Sequence, residues 1–311
     1  MIKKILVTGN MGYVGPVLID SLRKNFNNLE IIGFDTGFFA HCLTNNKFHP
    51  EVNLDKQFFG DIRNFPKSIL RGVDSVIHLC SISNDPMGNQ FEKQTNDINF
   101  KSSIVLANLC SLLGVKQFIF ASSCSIYGFT DKGPRKEKDK LNPLTAYAKS
   151  KVKTEEELSY ISNKKDNYTK FTSLRFSTAC GMSSRLRLDL VLNDFVASAL
   201  SQKKIIVLSD GSPWRPLIDV KDMAKAIIWA ISERDNIEKN HLSVNIGSNE
   251  RNYQVDQLAK SVSNVIKGIS VEVNKDALPD RRSYKVDFSL YKKIAPNHQP
   301  TVLLEVSIYK I

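Results

Sequence analysis

A chain of 311 residues with 42% hydrophobic and 24% charged residues has the make-up of an ordinary globular protein, long enough for a large α/β domain with a second lobe. No apolar run approaches the roughly 18 to 20 residues that cross a bilayer, and MIKKILVTGN passes straight from a short strand into glycines, so neither anchor nor signal peptide is expected and the cytoplasm is the expected location. Cys42, Cys80, Cys110, Cys124 and Cys180 lack metal or redox spacing, and the formal charge of +11 comes from scattered lysines; a zinc site, a nucleic-acid array and a membrane span are excluded, and a small anion such as a diphosphate answers the charge.

Along the chain, KKILVTG, EIIGFD, KQFFGD, DSVIHLC, KQFIFASS and FTSLRFS are short and nearly continuous in apolar character, the pattern of parallel strands covered on both faces. Between them, GYVGPVLIDSLRKNF, TNDINFKSSIVLANLCSLLG and TAYAKSKVKTEEELSYI carry apolar residues at helical spacing. Strand and helix in alternation predict a doubly wound parallel sheet, an α/β fold of the Rossmann type. The rhythm changes near residue 177. Helix-like LRLDLVLNDFVASALSQ and QVDQLAKSVSNVIKG alternate with the short strands IIVLS and SVEVN, which predicts a smaller C-terminal substrate-binding lobe. The expected division is 1–177 for the dinucleotide-binding domain, with a return segment near 212–232, and 178–311 mainly for the lobe.

TGNMGYVG follows the first strand and opens a helix. Gly9 permits a tight turn, Gly12 lets backbone amides approach a pyrophosphate, and Gly15 allows close packing of helix on strand. Asp35 closes the second strand about 20 residues later, where a carboxylate accepts hydrogen bonds from the adenine ribose hydroxyls and repels a 2′-phosphate. NAD is therefore the expected cofactor, in preference to NADP. Asp61, in GDIR after the third strand, fits the adenine edge or an ordinary turn.

The spacing YxxxK occurs at Tyr147/Lys151 and again at Tyr160/Lys164. Four residues apart on a helix, the two side chains share a face, and an ammonium there stabilises a phenolate. Tyr147 begins a helix just after the fifth strand, whereas Tyr160 ends that helix. Only the first pair is placed to reach a cofactor lying across the carboxyl ends of the strands.

Taken in order, TGNMGYVG, Asp35, GDIR, HLCSIS, SSCSIYG, AYAKSK, LRFSTACG and WRPLIDVKDM resemble the extended short-chain dehydrogenase/reductase proteins, in their nucleotide-sugar epimerase/dehydratase branch, from residue 3 to about 290. The resemblance implies a nucleotide-diphosphate sugar as substrate, oxidised at a carbinol, usually the fourth carbon, with hydride passing to NAD. Ser123, four residues before the tyrosine of the Tyr127–Gly128 pair, would hydrogen-bond the sugar hydroxyl; Tyr147 would be the base, and Lys151 would hold the nicotinamide ribose and tune the tyrosine. His78 would pack or hydrogen-bond beneath the cofactor. Met11, Tyr13 and Val14 in the glycine turn, Ile62 beside Asp61, Leu79, Ser81 and Asn99 complete the implied cofactor contacts. Ser83, Thr178 and Asn193 are the implied substrate contacts, although Thr178 stands where the family often has Asn. Arg215, with Arg281 or Arg282, fits the diphosphate clamps. Arg185 and Arg187 are either further candidates of this kind or a solvated basic loop.

Dehydratases of this branch carry an acidic residue directly after the Ser/Thr, and here Cys124 and Ser125 stand in its place. What is left is an epimerase, or a 4-dehydrogenase or 4-ketoreductase using the same three groups. A non-enzymatic dinucleotide-sensing or nucleic-acid-binding relative is the alternative from another class, and it would have no physical need for Tyr147 and Lys151. Homodimerisation through the helices containing residues 95–113 and 146–162 is also implied.

Overall fold

The computed structural model describes residues 2–44, 48–83, 85–131, 133–233, 236–277 and 282–311. Its strands are β1 (Lys4–Thr8), β2 (Glu30–Asp35), β3 (Lys56–Phe59), β4 (Ser75–His78), β5 (Gln117–Ser123), β6 (Lys170–Phe176), β7 (Thr178–Cys180), β8 (Lys204–Val207), β9 (Trp214–Asp219), β10 (His241–Ile246), β11 (Asn252–Gln254) and β12 (Ser270–Val273). The helices are α1 (Gly15–Asn25), α2 (Asp85–Gln90), α3 (Glu92–Asn96), α4 (Ser102–Leu112), α5 (Ala146–Ser162), α6 (Val191–Gln202), α7 (Val220–Ser232), α8 (Val255–Val265), α9 (Ser289–Ile294) and α10 (Leu304–Lys310). No described helix is long and apolar enough to cross a membrane.

Seven parallel strands form the large sheet in the order β10-β6-β5-β4-β1-β2-β3. In the inner strands the apolar side chains are sealed on both sides, as the continuous runs predict, whereas Phe58 and Phe59 of the edge strand β3 are exposed. On one face Leu18 and Leu22 of α1 and Ile227 and Trp229 of α7 join Ile5, Val7, Ile77 and Ile119. On the other, Leu106 and Cys110 of α4 and Leu158 and Ile161 of α5 cover Leu6, Val76, Phe118 and Phe171. Because every strand is parallel, all carboxyl ends reach the same edge, and the order reverses between β1 and β4, where such sheets bind ligands.

After β6 the chain builds a smaller layer from β7, β9 and β11, and a parallel pair of β8 with β12. Leu192, Phe195 and Val196 of α6 and Leu258 and Val262 of α8 fill its own core. The chain then returns to the large sheet with α7 and, beyond the expected return near 212–232, with β10, which pairs with β6 at the sheet edge. A last small cluster joins Cys124, Ile126 and Tyr127 to Tyr284, Val286 and Phe288, tying the end of β5 to the C-terminal part of the chain.

Candidate active site

The turn after β1 is built by steric necessity. Gly9 has φ +74°, and a Cβ there would lie 2.6 Å from the Cys80 backbone nitrogen; a Cβ on Gly15 would lie 1.9 Å from the Asn10 carbonyl oxygen. Gly9 N–H donates to the Phe34 carbonyl at 2.9 Å and Gly12 N–H to the Gly9 carbonyl at 3.2 Å. Val14 caps α1, whose first turn holds Pro16. Asp35 lies at the end of β2 with Met11 N–H donating to Oδ2 at 3.0 Å and Gly37 N–H to Oδ1 at 2.9 Å. Each oxygen has capacity for a further donor, such as a ribose hydroxyl. A glycine turn at the head of α1 beside a strand-end carboxylate is the donor and acceptor set that NAD requires, so the residues present fit it.

Asp61 caps the turn Ile62–Asn64, accepting from Arg63 N–H at 2.9 Å and holding the Arg63 guanidinium, which keeps its carboxyl below the usual range. Ile62 is buried beside it. Tyr13 is a strut: its buried hydroxyl donates to the Gly181 carbonyl at 2.6 Å, joining the glycine turn to the smaller lobe, and burial pushes the phenol up.

At the other end of the cleft, β4 ends in His78, whose ring bonds Thr8 Oγ1 at 2.6 Å and Ser103 Oγ at 2.8 Å. Burial pushes this imidazole down to about 3, so it is neutral at physiological pH. Leu79 N–H continues the β1 pairing through the Thr8 carbonyl at 2.9 Å. Asn99 sits in a π-helical turn over Asp97–Lys101 and is saturated locally: its amide exchanges bonds of 2.8 and 2.9 Å with Ile82 backbone and reaches Ser150 at 3.3 Å. It fixes the Ser81–Ser83 loop that leaves β4. Ser81 itself bonds the Ile82 carbonyl at 3.4 Å.

Ser123, Tyr147 and Lys151 come together. Ser123 closes β5, accepts from Ser125 N–H at 3.1 Å, and lies beside the Tyr147 phenol. Thr145 caps α5 by accepting Ala148 N–H at 3.2 Å, which sets Tyr147 in the first turn. One turn on, Lys151 Nζ donates to the Ala121 carbonyl at 2.7 Å and lies 4.6 Å from the Phe120 ring centroid and 5.2 Å from that of Tyr147. Burial raises the Tyr147 phenol to about 12, opposed by the neighbouring Ser123 hydroxyl and the Arg187 charge. Burial lowers Lys151 to about 7, opposed by Cys80 and Glu155. Burial in the cofactor-free cleft thus favours the neutral form of both groups, phenol and amine.

Beneath them lies a buried ion pair that the motifs do not announce. Glu155 Oε2 accepts Arg175 Nη2 at 2.7 Å and Ser243 Oγ at 3.0 Å, while Oε1 accepts Ser122 Oγ at 2.5 Å. Successive turns of α5 are therefore fastened to successive residues of β5, Lys151 to Ala121 and Glu155 to Ser122, immediately before Ser123. The Cys124 thiol donates to the Arg175 carbonyl at 3.1 Å and burial pushes it up, so it is an inert neutral group.

On the substrate side, Arg187 spans the cleft, donating to Ser83 Oγ at 2.8 Å and pairing with Asp189 at 2.7 Å. Asn193 is buried, accepts Gly181 N–H at 3.1 Å and donates to the Arg187 carbonyl at 2.9 Å, so its amide organises the loop that carries Arg187. Thr178 lies beside the buried Tyr284 phenol. Arg215 donates to the Arg282 carbonyl and lies 5.9 Å from the Tyr284 ring centroid, and Arg282 pairs with Asp85 at 2.7 Å. Arg281 lies outside the described residues. Arg185 is no solvated loop residue: it is buried and holds Glu51 at 2.7 Å. Tyr160 and Lys164 form their own exposed pair on the outer surface, 5.3 Å from ammonium to ring centroid.

The sequence model of the NAD dependent epimerase/dehydratase family matches residues 5–247. The chain belongs to this family. Among its relatives, an uncharacterized UDP-glucose epimerase, YtcB, of Bacillus subtilis is 30% identical over 80% of this chain and 78% of its own length. A putative UDP-glucose 4-epimerase of Methanocaldococcus jannaschii is 26% identical over 99% of this chain and 96% of its own. The structure of UDP-glucuronic acid 4-epimerase from Bacillus cereus, in complex with UDP-glucuronic acid and NAD, superposes with a TM-score of 0.82 at 23% identity, covering 99% of this chain and 97% of that one. Family membership makes NAD the cofactor and the protein an enzyme, in keeping with the glycine turn and Asp35.

Proposed function

We propose that this family member is a nucleotide-sugar 4-epimerase acting on UDP-sugars, with Ser123, Tyr147 and Lys151 as its catalytic residues. The observation that carries the reading is the meeting of these three groups at the carboxyl end of β5 with no carboxylate at positions 124 and 125. Ser123 Oγ hydrogen-bonds the C4 hydroxyl and passes its proton to the Tyr147 oxygen. Lys151, as ammonium, stabilises the phenolate form of Tyr147 that accepts it. NAD, held by the glycine turn and Asp35, would supply the hydride acceptor and donor at C4 on which inversion of that carbon depends. Tyr147 then gives the proton back, so protons and electrons balance over the cycle. Cys124, neutral and bonded to backbone, and Ser125 offer no base for expelling water from a neighbouring carbon, which favours epimerisation over dehydration.

The names of the relatives support UDP as the nucleotide, and Arg215 with Arg282 near Tyr284 supports a diphosphate clamp on the lobe side. Asp35, Met11, Gly12 and Val14 are assigned to the adenosine and pyrophosphate, Leu79 and Ser81 to the nicotinamide side. Exposed Val105 and Leu112 on α4 and Tyr160 on α5 support a homodimer formed by these two helices. Five free cysteines fit a reducing cytoplasm.

The test is turnover of UDP-glucose and UDP-N-acetylglucosamine, read chromatographically as the C4 epimer, by the wild type and Tyr147→Phe. Loss of the phenolic oxygen should cost at least ~100-fold in kcat; undiminished turnover would sink the assignment. Denatured wild-type protein should release tightly held NAD, whereas a net dehydrogenase or ketoreductase would exchange it and consume it stoichiometrically.

A further inference from the structure

Asp85 has no role in the chemistry above, yet it stands beside it. It opens α2, and α2 is pressed onto the first turn of α5. The Asn89 side-chain oxygen accepts Ala146 N–H at 3.3 Å, and a Cβ on Gly88 would lie 3.9 Å from both the Tyr147 nitrogen and its Cβ. Oδ2 of Asp85 accepts Arg282 Nη1 at 2.7 Å. Oδ1 is buried and has no hydrogen-bond partner among the described residues. The negative charge is felt by both phenols of the cleft, Tyr147 and Tyr284. A buried carboxylate oxygen without a donor is costly, and it is satisfied when a ligand brings one.

We propose that Asp85 is a specificity-determining residue whose Oδ1 accepts a hydrogen bond from a hydroxyl or amide N–H of the sugar, so that the site takes neutral hexose or N-acetylhexosamine nucleotides and rejects uronic acids. This rests on the nucleotide-sugar reading of the site. The surrounding charges agree with it. Arg187 is already paired with Asp189 and bonded to Ser83, so it brings no unbalanced positive charge to draw a sugar carboxylate. Arg282, held by Oδ2, is one of the two arginines assigned above to the diphosphate. Asp85 thus couples the clamp to the sugar: one oxygen fixes the arginine and the other reads the ring. A sugar carboxylate has no proton to give Oδ1 and would leave it unsatisfied, which disfavours that substrate class.

The experiment measures kcat/KM for UDP-glucose and UDP-glucuronic acid with NAD-loaded wild type, Asp85→Asn, Asp85→Ala and Arg282→Met. Wild type should prefer UDP-glucose at least ~10-fold, and both Asp85 variants should shrink that preference several-fold, chiefly by raising the KM for UDP-glucose with kcat little changed. Arg282→Met should weaken both substrates alike and leave the ratio standing. Melting temperatures and NAD content verify that each variant is folded and loaded. A wild type that prefers UDP-glucuronic acid, or a ratio unmoved in both Asp85 variants, overturns the inference alone. If the wild type turns over no UDP-sugar, the parent reading falls and this one with it.

Discussion

Replacing Arg175 by Met tests the buried pair that underlies the site. Arg175 and Glu155 are each only 6% exposed in their side chains. Glu155 receives Arg175 Nε at 3.1 and 3.0 Å and Nη2 at 2.7 Å, plus the hydroxyls of Ser122 and Ser243. Arg175→Met removes every cationic donor and leaves a buried carboxylate held by two hydroxyls, a loss of about 3–5 kcal/mol. Against a usual total of about 5–15 kcal/mol this is severe. The double variant Arg175→Met/Glu155→Met has no stranded charge, and an apolar pair of similar volume is often neutral or better. The urea midpoint, followed by Trp214 and Trp229 fluorescence, should therefore drop sharply in the single variant and recover most of the way in the double. Activity should not recover with it. Ser122 has lost its acceptor, Ser123 is the next residue, and small misplacements of reacting groups cost up to about 100-fold. A double variant no more stable than the single one would refute the ion-pair argument, and one with full activity would refute the positioning argument.

Lys151 makes the cofactor-free protein's stability depend on pH with a definite sign. Its folded value, about 7, lies below the unfolded 10.5, so the unfolded chain binds more protons between them and stability rises with pH from about 7 to about 8. Higher still, the buried thiols of Cys80, Cys110, Cys124 and Cys180 and phenols such as Tyr147, all raised in the folded state, reverse the trend. Urea midpoints from pH 7 to about 8 should climb in the wild type and lose that climb in Lys151→Met. Gly9→Ala forces a side chain into φ +74° against the Cys80 backbone and should cost about 1–3 kcal/mol, seen as a lower melting temperature together with weaker NAD binding. Asp35→Asn removes the charge that repels a 2′-phosphate, so calorimetric titration should show NAD weakened and its advantage over NADP reduced. Leu112→Glu, on the exposed face of α4, should convert the proposed dimer to monomer in sedimentation without lowering the melting temperature of the subunit, and a wild type that sediments as a monomer would refute the dimer.

Much of this molecule could be read from its sequence because the relevant signals are local. KILVT and QFIF declare buried parallel strands by being apolar throughout, the glycine turn is contiguous, and Tyr147 and Lys151 are one helical turn apart. The features that escaped are pairings between distant residues. Arg175 meets Glu155 across two different elements, and Asp85 meets Arg282 nearly 200 positions away, with no periodicity to mark either. Glu155 does carry a faint signal, since it follows Lys151 by four residues and so shares its face. HLSVNI is polar at alternate positions and reads poorly as a strand buried in a large sheet, although it becomes the outer strand β10. Tyr13 and Asn193 are expected from the sequence as ligand contacts, and what the sequence does not announce is that they also meet each other at 3.5 Å and brace the cleft.

The late arrival of β10 has a consequence for how the protein is made. Six residue pairs, from His241–Phe171 to Ile246–Phe176, cover the free edge of β6, and Trp229, Val244 and Ile246 close the core on that side. On the ribosome, the whole first part of the smaller lobe must emerge before these residues do. Until residue 246 has left the exit tunnel, β6 is a bare strand edge with unpaired backbone groups, of the kind that templates association between nascent chains. A fragment ending at 177 would be arrested at this stage, holding Ser123, Tyr147 and Lys151 yet presenting that edge to its neighbours. Co-expression with chaperones should matter far more for such a fragment than for the full chain, and the fragment's insolubility would reflect an unfinished sheet rather than a weak one.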